Sequence, residues 1–207
     1  MRSLKMYYIA ETNQLVFWQK LTEKRLDACS FFFKSLVKVK KISLYISDFI
    51  KKDNMIKEYV NWGDQFKIEF SIMVTNTPSD TWTNVFHFTG TDNNCCNNGD
   101  RIPAMWINHK KILISASVND NGNYWKTFDY ELNHKDHIII QQLKDSSGLY
   151  WYEIIIDGVL KERTKNKQVK TYPSVKLYAS DPWHGSFTSD LGLIFNFKVQ
   201  QIEGLLL

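Results

Sequence analysis

The chain has 207 residues, 43% hydrophobic, 14% aromatic and 23% charged. That size and composition fit one β-sandwich-sized domain with at most a short extension, and exclude a disordered chain. The net charge of +4 divides unevenly: residues 1–60 hold twelve Lys or Arg against six Asp or Glu, and the remainder holds fourteen against sixteen. The larger part therefore lacks the dense basic face that nucleic acid binding requires. No apolar run reaches the roughly 18 residues of a membrane span.

Residues 1–41 contain neither Gly nor Pro; the first of each are Gly63 and Pro78. Leu15, Trp18, Leu21 and Leu26 have loosely helical spacing, with Glu23, Lys24 and Arg25 between them. Phe31, Phe32 and Phe33 precede Lys34, Lys38, Lys40 and Lys41. The expectation is an N-terminal extension over 1–41, helical or poorly ordered, followed by one domain over 42–207. A membrane-surface helix is the other reading of the extension. No apolar segment followed by small residues is visible here, so no signal peptide is read.

From Ile42 the pattern becomes that of strands. Phe66, Ile68, Phe70, Ile72 and Val74 alternate with Lys67, Glu69 and Ser71, the period of a half-buried antiparallel strand. Trp82 to Thr89 follows, with Val85 expected on the face opposite Phe86 and Phe88. Gly90 to Arg101 is a polar loop containing four Asn, two Asp and adjacent Cys95 and Cys96. Ile102 to Asn108 and Ile112 to Val118 are strands about a turn at His109-Lys110, and Asn119 to Gly122 is a further turn. Tyr124 to Leu132 and His137 to Leu143 are extended runs. Tyr150 to Arg163 reads as an aromatic strand and a partner joined by a tight turn at Asp157-Gly158. Its β-branched and aromatic content calls for neighbours on both faces. Lys161, Arg163, Lys165, Lys167 and Lys170 read as a solvated edge and loop, where lysines discourage strand addition. Val175 to Ala179 and Leu191 to Val199 complete the set, with Leu193, Phe195, Phe197 and Val199 expected on one side. Many short strands with frequent turns, and no sustained amphipathic helix after residue 42, define an all-β fold of two antiparallel sheets.

The order of these pieces resembles the laminin-G-like branch of the concanavalin-A-like lectin and glucanase jelly rolls. The residues carrying the likeness are Phe66 to Ile72, Val85 to Phe88, Gly99 to Ala104, Tyr152 to Gly158, and Val175 to Trp183 leading into Leu191 to Phe197. The match spans residues 42 to 200. It implies a jelly-roll sandwich in a secreted or cell-surface protein that binds a glycan or an extracellular protein, some members holding calcium at one rim.

Two loops are the candidate binding surface. In the first, Cys95 and Cys96 form a vicinal disulfide or remain thiols, and Asp100 and Arg101 either contact a ligand or brace the loop. In the second, Trp183 stacks on a sugar and His184 and Asp181 bond its hydroxyls, or Trp183 packs on the sheet edge. No cofactor is required; calcium held by Asp181 and Asp100 is the open alternative. Catalysis is not expected. Glycosidases need two carboxylates about 5 to 9.5 Å apart, whereas Glu153 and Asp157 are about 13 Å apart on an extended strand. Gly-x-Ser-x-Gly, His-Glu-x-x-His and phosphate-cradling glycine patterns are missing. The function expected is non-catalytic recognition of carbohydrate or glycoprotein, with adhesion to another protein as the alternative and a divergent glycosidase behind it.

Overall fold

The computed structural model describes residues 5–9, 14–18, 38–44, 52–79 and 82–203, the first three segments by backbone alone. The chain divides into two compact units, Met1–Lys38 with Gly204–Leu207, and Val39–Glu203. In the first, strands β1 (Lys5–Ile9) and β2 (Gln14–Trp18) pair antiparallel. Leu15 and Trp18, expected on a helix, stand in β2. Leu21, Leu26, Cys29 and Phe31 to Phe33 lie outside the described residues.

The second unit is an all-β sandwich. Its strands are β3 (Lys38–Leu44), β4 (Met55–Trp62), β5 (Phe66–Val74), β6 (Thr83–Thr89), β7 (Ala104–Asn108), β8 (Lys111–Val118), β9 (Asn121–Asp129), β10 (Lys135–Lys144), β11 (Tyr150–Ile156), β12 (Val159–Asn166), β13 (Tyr172–Tyr178), β14 (Gly185–Ser186) and β15 (Gly192–Glu203). One sheet has six strands in the order β12-β11-β10-β5-β15-β3. The other has seven, in the order β4-β13-β6-β7-β8-β9, with β14 pairing parallel to β6.

The turns form at residues tolerant of positive φ. Asp157 and Gly158 have φ of 51° and 75°, the conformation of a type I′ turn between Ile156 and Val159. Asn119 and Asp120 make the equivalent turn between β8 and β9. The β11–β12 hairpin is an edge element, and its neighbours differ from expectation. Tyr152, Ile154 and Ile156 are buried in the core. On the other face Trp151 meets polar groups: the Arg163 guanidinium lies 4.3 Å from its ring, and its indole nitrogen donates to the Asp145 carboxylate (2.8 Å). A strand at the end of a single-layer sheet has one apolar neighbour layer, not two.

The core lies between the inner faces. Phe66, Ile68, Phe70, Ile72 and Val74 of β5 face it, as do Ile112, Ile114, Ala116 and Val118 of β8. Phe70, Phe86 and Phe197 meet with ring centroids 5.4 Å apart, joining the two sheets. Two alternation expectations fail, both at bulges. In β6 the register shifts between Asn84 and Phe86, so Val85, Phe86 and Phe88 all enter the core. In β15 it shifts after Phe195, around Asn196 with φ of 53°. Ile194, Phe197 and Val199 are buried, while Leu193 and Phe195 turn to the half-exposed side. An extra residue in one strand reverses the parity of everything beyond it.

Candidate functional site

The β6 bulge also shapes the outer face of the seven-stranded sheet. Strand register places Tyr178, His87, Ala104, Ser115 and Trp125 in one row across five strands. Asn84, Trp106, Leu113 and Thr127 form the adjacent row. Small Ala104 and Ser115, both fully buried, stand between His87 and Trp125 in the first row. Ala104, Trp106 and Leu113 form a second buried apolar cluster there. An outward sheet face is ordinarily solvated; this one is roofed by loop residues on both sides.

The loop after β13 is fixed by Asn84. Its side-chain oxygen accepts from the Asp181 amide (2.9 Å) and the Ser180 hydroxyl (3.2 Å), and its amide nitrogen donates to the Phe86 and Met105 carbonyls (3.2 Å each). The buried Asp181 carboxylate accepts from the amides of Trp183 (3.1 Å) and His184 (3.0 Å), from His87 Nδ1 (2.9 Å) and from His184 Nδ1 (2.9 Å). Burial alone would raise its pKa. The hydrogen bonds from His184 and His87 outweigh that and hold it well below the ordinary carboxylate value. His87 Nε2 is 2.7 Å from the Asp100 carbonyl. A carbonyl and a carboxylate both only accept, so each ring nitrogen of His87 faces an acceptor. His87 thereby ties the Asp181 loop to the loop that precedes β7.

That second loop carries Arg101. Its guanidinium lies 4.5 Å over the Trp106 ring. Nε donates to the Asn94 carbonyl (3.0 Å), Nη1 to Asn123 Oδ1 (2.5 Å) and Ser115 Oγ (3.4 Å), and Nη2 to Asn94 Oδ1 (3.4 Å). Among the described residues no carboxylate forms an ion pair with it. Burial lowers its pKa, opposed by the more distant charges of Asp181 and Asp100. Asp100 braces the loop instead, accepting from the Thr91 hydroxyl (2.5 Å) and the Asn97 amide (2.7 Å). Cys95 and Cys96 are joined by a disulfide in this loop. The backbone of Cys96 and Asn97 lies so close to Gly122 on β9 that no Cβ fits there.

Between these loops and β9 is a hollow of about 240 Å³, lined by Trp82, Arg101, Leu113, Asn123, Trp125 and His184. Trp82 and Trp125 are 44% and 54% exposed. The parallel pairing of β14 with β6, and the Gly185 amide bonded to the Trp82 carbonyl (3.1 Å), bring Trp82 beside His184. His184 uses Nδ1 on Asp181, and its Nε2 has no hydrogen bond among the described residues.

Of the residues singled out in the sequence, Arg101 and His184 line the hollow and Asp181 orients His184. Trp183 packs against His87 (5.3 Å) and Tyr178 (6.1 Å) instead of lining it. Asp100 and the Cys pair shape the loop. Asp181 and Asp100 do not fit a calcium site, because N–H and O–H donors already occupy their carboxylates. Glu153, the glycosidase candidate, bonds Gln141 (2.7 Å) and Arg163 (3.2 Å) in the six-stranded sheet. Sequence reasoning missed Trp82, His87, Trp106, Asn123 and Trp125. The available signal was that Asn123 and Trp125 alternate with the inward Tyr124.

No protein-family model matches the chain, and no curated protein matches it. Among solved structures it is similar to the receptor-binding domain of botulinum neurotoxin D, at 13% identity and a TM-score of 0.49, covering 91% of this chain and 46% of that one. It is likewise similar to the botulinum neurotoxin type G receptor-binding domain, at 14% identity and a TM-score of 0.43, covering 96% and 47%. A third is the endo-β-1,4-glucuronan lyase of the fungus Trichoderma reesei, at 10% identity and a TM-score of 0.44, covering 84% and 92%. The chain spans less than half the length of the two neurotoxin domains.

Proposed function

We propose that this sandwich is a non-catalytic carbohydrate-binding module of laminin-G-like kind, acting outside the cell, that takes a sugar of a glycan or glycoprotein in the hollow. The observation that carries this reading is the pair of exposed tryptophans, Trp82 and Trp125, flanking polar groups that other side chains already hold in place. The apolar face of a sugar ring stacks on indole, while Asn123 and His184 meet its hydroxyls. Pre-ordering of Arg101 and His184 lowers the entropic cost of binding. Arg101, a largely buried cation with no ion-pair partner among the described residues, favours a sugar bearing carboxylate or sulfate. The Cys95–Cys96 disulfide is in keeping with an oxidising compartment.

A glycan array with neutral and acidic members tests this. The expected result is binding to acidic glycans that falls about ten-fold or more in Trp125→Ala, with the circular dichroism spectrum unchanged. Silence across the array overturns it. One observation favours a second reading, acid–base catalysis: His184, which lines the hollow, is oriented through Nδ1 by buried Asp181, and its Nε2 has no hydrogen bond among the described residues. Turnover of a polysaccharide panel, lost in His184→Ala, would support that reading in place of binding alone.

A further inference from the structure

A separate cluster lies at one end of the six-stranded sheet. His134 comes from the β9–β10 connection, Asp136 from the start of β10 and Asp157 from the β11–β12 turn. One ligand atom from each lies within 4.8 Å of the other two. His134 Nε2 is 3.4 Å from Asp157 Oδ2 and 3.8 Å from Asp136 Oδ1. The three are held on a firm frame. Asp136 is paired opposite Ile72 in β5. The Asp157 amide donates to the His137 carbonyl (2.8 Å), and Asp157 Oδ1 accepts the His137 amide (2.8 Å), which leaves Oδ2 for the cluster.

Asp136 is the informative member. Its side chain is only 10% exposed, yet among the described residues no donor makes a hydrogen bond to it, and its one ion-pair partner is His134 of the same cluster, at 3.8 Å. A carboxylate in that position is ordinarily protonated or paired. A cation seated between the three groups would neutralise both carboxylates at once.

We propose that His134, Asp136 and Asp157 bind a divalent first-row metal ion of the zinc type. One imidazole and two carboxylates suit zinc, whose bonds of about 2.0 to 2.2 Å place ligands roughly 3.3 Å apart; the His134–Asp157 spacing already matches. The imidazole disfavours calcium, which takes oxygen ligands. The ion would fasten the tip of the β11–β12 hairpin to the body of the sheet, and water would complete its coordination.

The test is calorimetric titration of the full chain, without an affinity tag, with Zn²⁺, alongside thermal unfolding. The expected result is one ion per chain and a raised midpoint. Loss of a ligand should weaken binding at least as much as loss of a supporting partner does, about 10- to 100-fold. Both Asp136→Asn, which keeps the shape, and His134→Ala, at an exposed position, should show this. Absence of binding at millimolar Zn²⁺, or binding that neither variant changes, overturns the assignment. Tighter binding of Ca²⁺ than of Zn²⁺ overturns it as well.

Discussion

The two sheets of this sandwich share a core but differ on their outer faces. On the six-stranded sheet the outer face follows the ordinary rule: Lys67–Glu69 (2.9 Å), Lys198–Glu69 (3.8 Å) and Arg163–Glu153 (3.2 Å) are part-exposed ion pairs along the strands. On the seven-stranded sheet the outer face carries Asn84, His87, Ala104, Trp106, Leu113 and Ser115, all buried. The same period-two chain geometry makes both. The difference comes from two loops folded back over one sheet, which convert a solvated face into a second, polar interior beside an open hollow. A protein that only needed to fold would be served by the first arrangement.

Breaking the buried pair should produce the largest effect. Asp181→Asn keeps the side-chain shape but removes the charge that His87 and His184 both contact. Uncompensated buried charge typically costs about 3–5 kcal/mol, so urea unfolding should show a loss of that order. Acid should act in the same direction. Asp181 titrates below its ordinary value of 3.8 in the folded state. The unfolded chain therefore binds its proton first as pH falls, and the stability Asp181 contributes is full above pH 3.8 and lost below it. Wild type and Asp181→Asn should converge in stability as pH drops through that range; a constant gap would contradict the ion-pair account.

The next effect separates the loop from the pair. Gly122→Ala pushes a methyl group into the backbone of Cys96 and Asn97. Overpacking of this kind costs about 1–3 kcal/mol. Because Asn94, in the same loop, accepts from Arg101, glycan affinity should fall together with stability. A stable variant with unaltered binding would show that the loop is not coupled to the hollow.

Strands and turns were legible in the sequence because each rests on local chemistry. Phe66 to Val74 needs only its own alternation to declare an inner face, and Asp157-Gly158 needs only its tolerance of positive φ. What failed was parity across bulges. Nothing between Trp82 and Thr89 announces that Asn84 and His87 both point outward, because the extra residue is defined by its pairing with Trp106 and Ala104 on another strand. The site divides in the same way. Arg101, Asp181 and His184 could be picked out as polar loop residues. Trp125 joins them only through the register that sets it opposite Ser115, a fact about two strands that neither strand contains alone.

The smallest predicted effect completes the comparison. Glu69 on the solvated face has a lowered pKa, first through its hydrogen bond with Lys67, with Lys198 and His137 adding to it against the cost of burial. Part-exposed pairs of this kind contribute about 0.2–1 kcal/mol, because water and ions share the work of solvating them. Glu69→Gln should therefore change unfolding stability by no more than about 1 kcal/mol. Salt distinguishes the two faces more sharply than magnitude does. At about 1 M salt the screening length is about 3 Å, so the Glu69→Gln difference should vanish. The Asp181 carboxylate and the His87 ring are closed to solvent, and ions cannot reach between them, so the Asp181→Asn difference should persist. Equal salt sensitivity of the two variants would mean that the roofed face is wet, and that its polar groups are a surface after all.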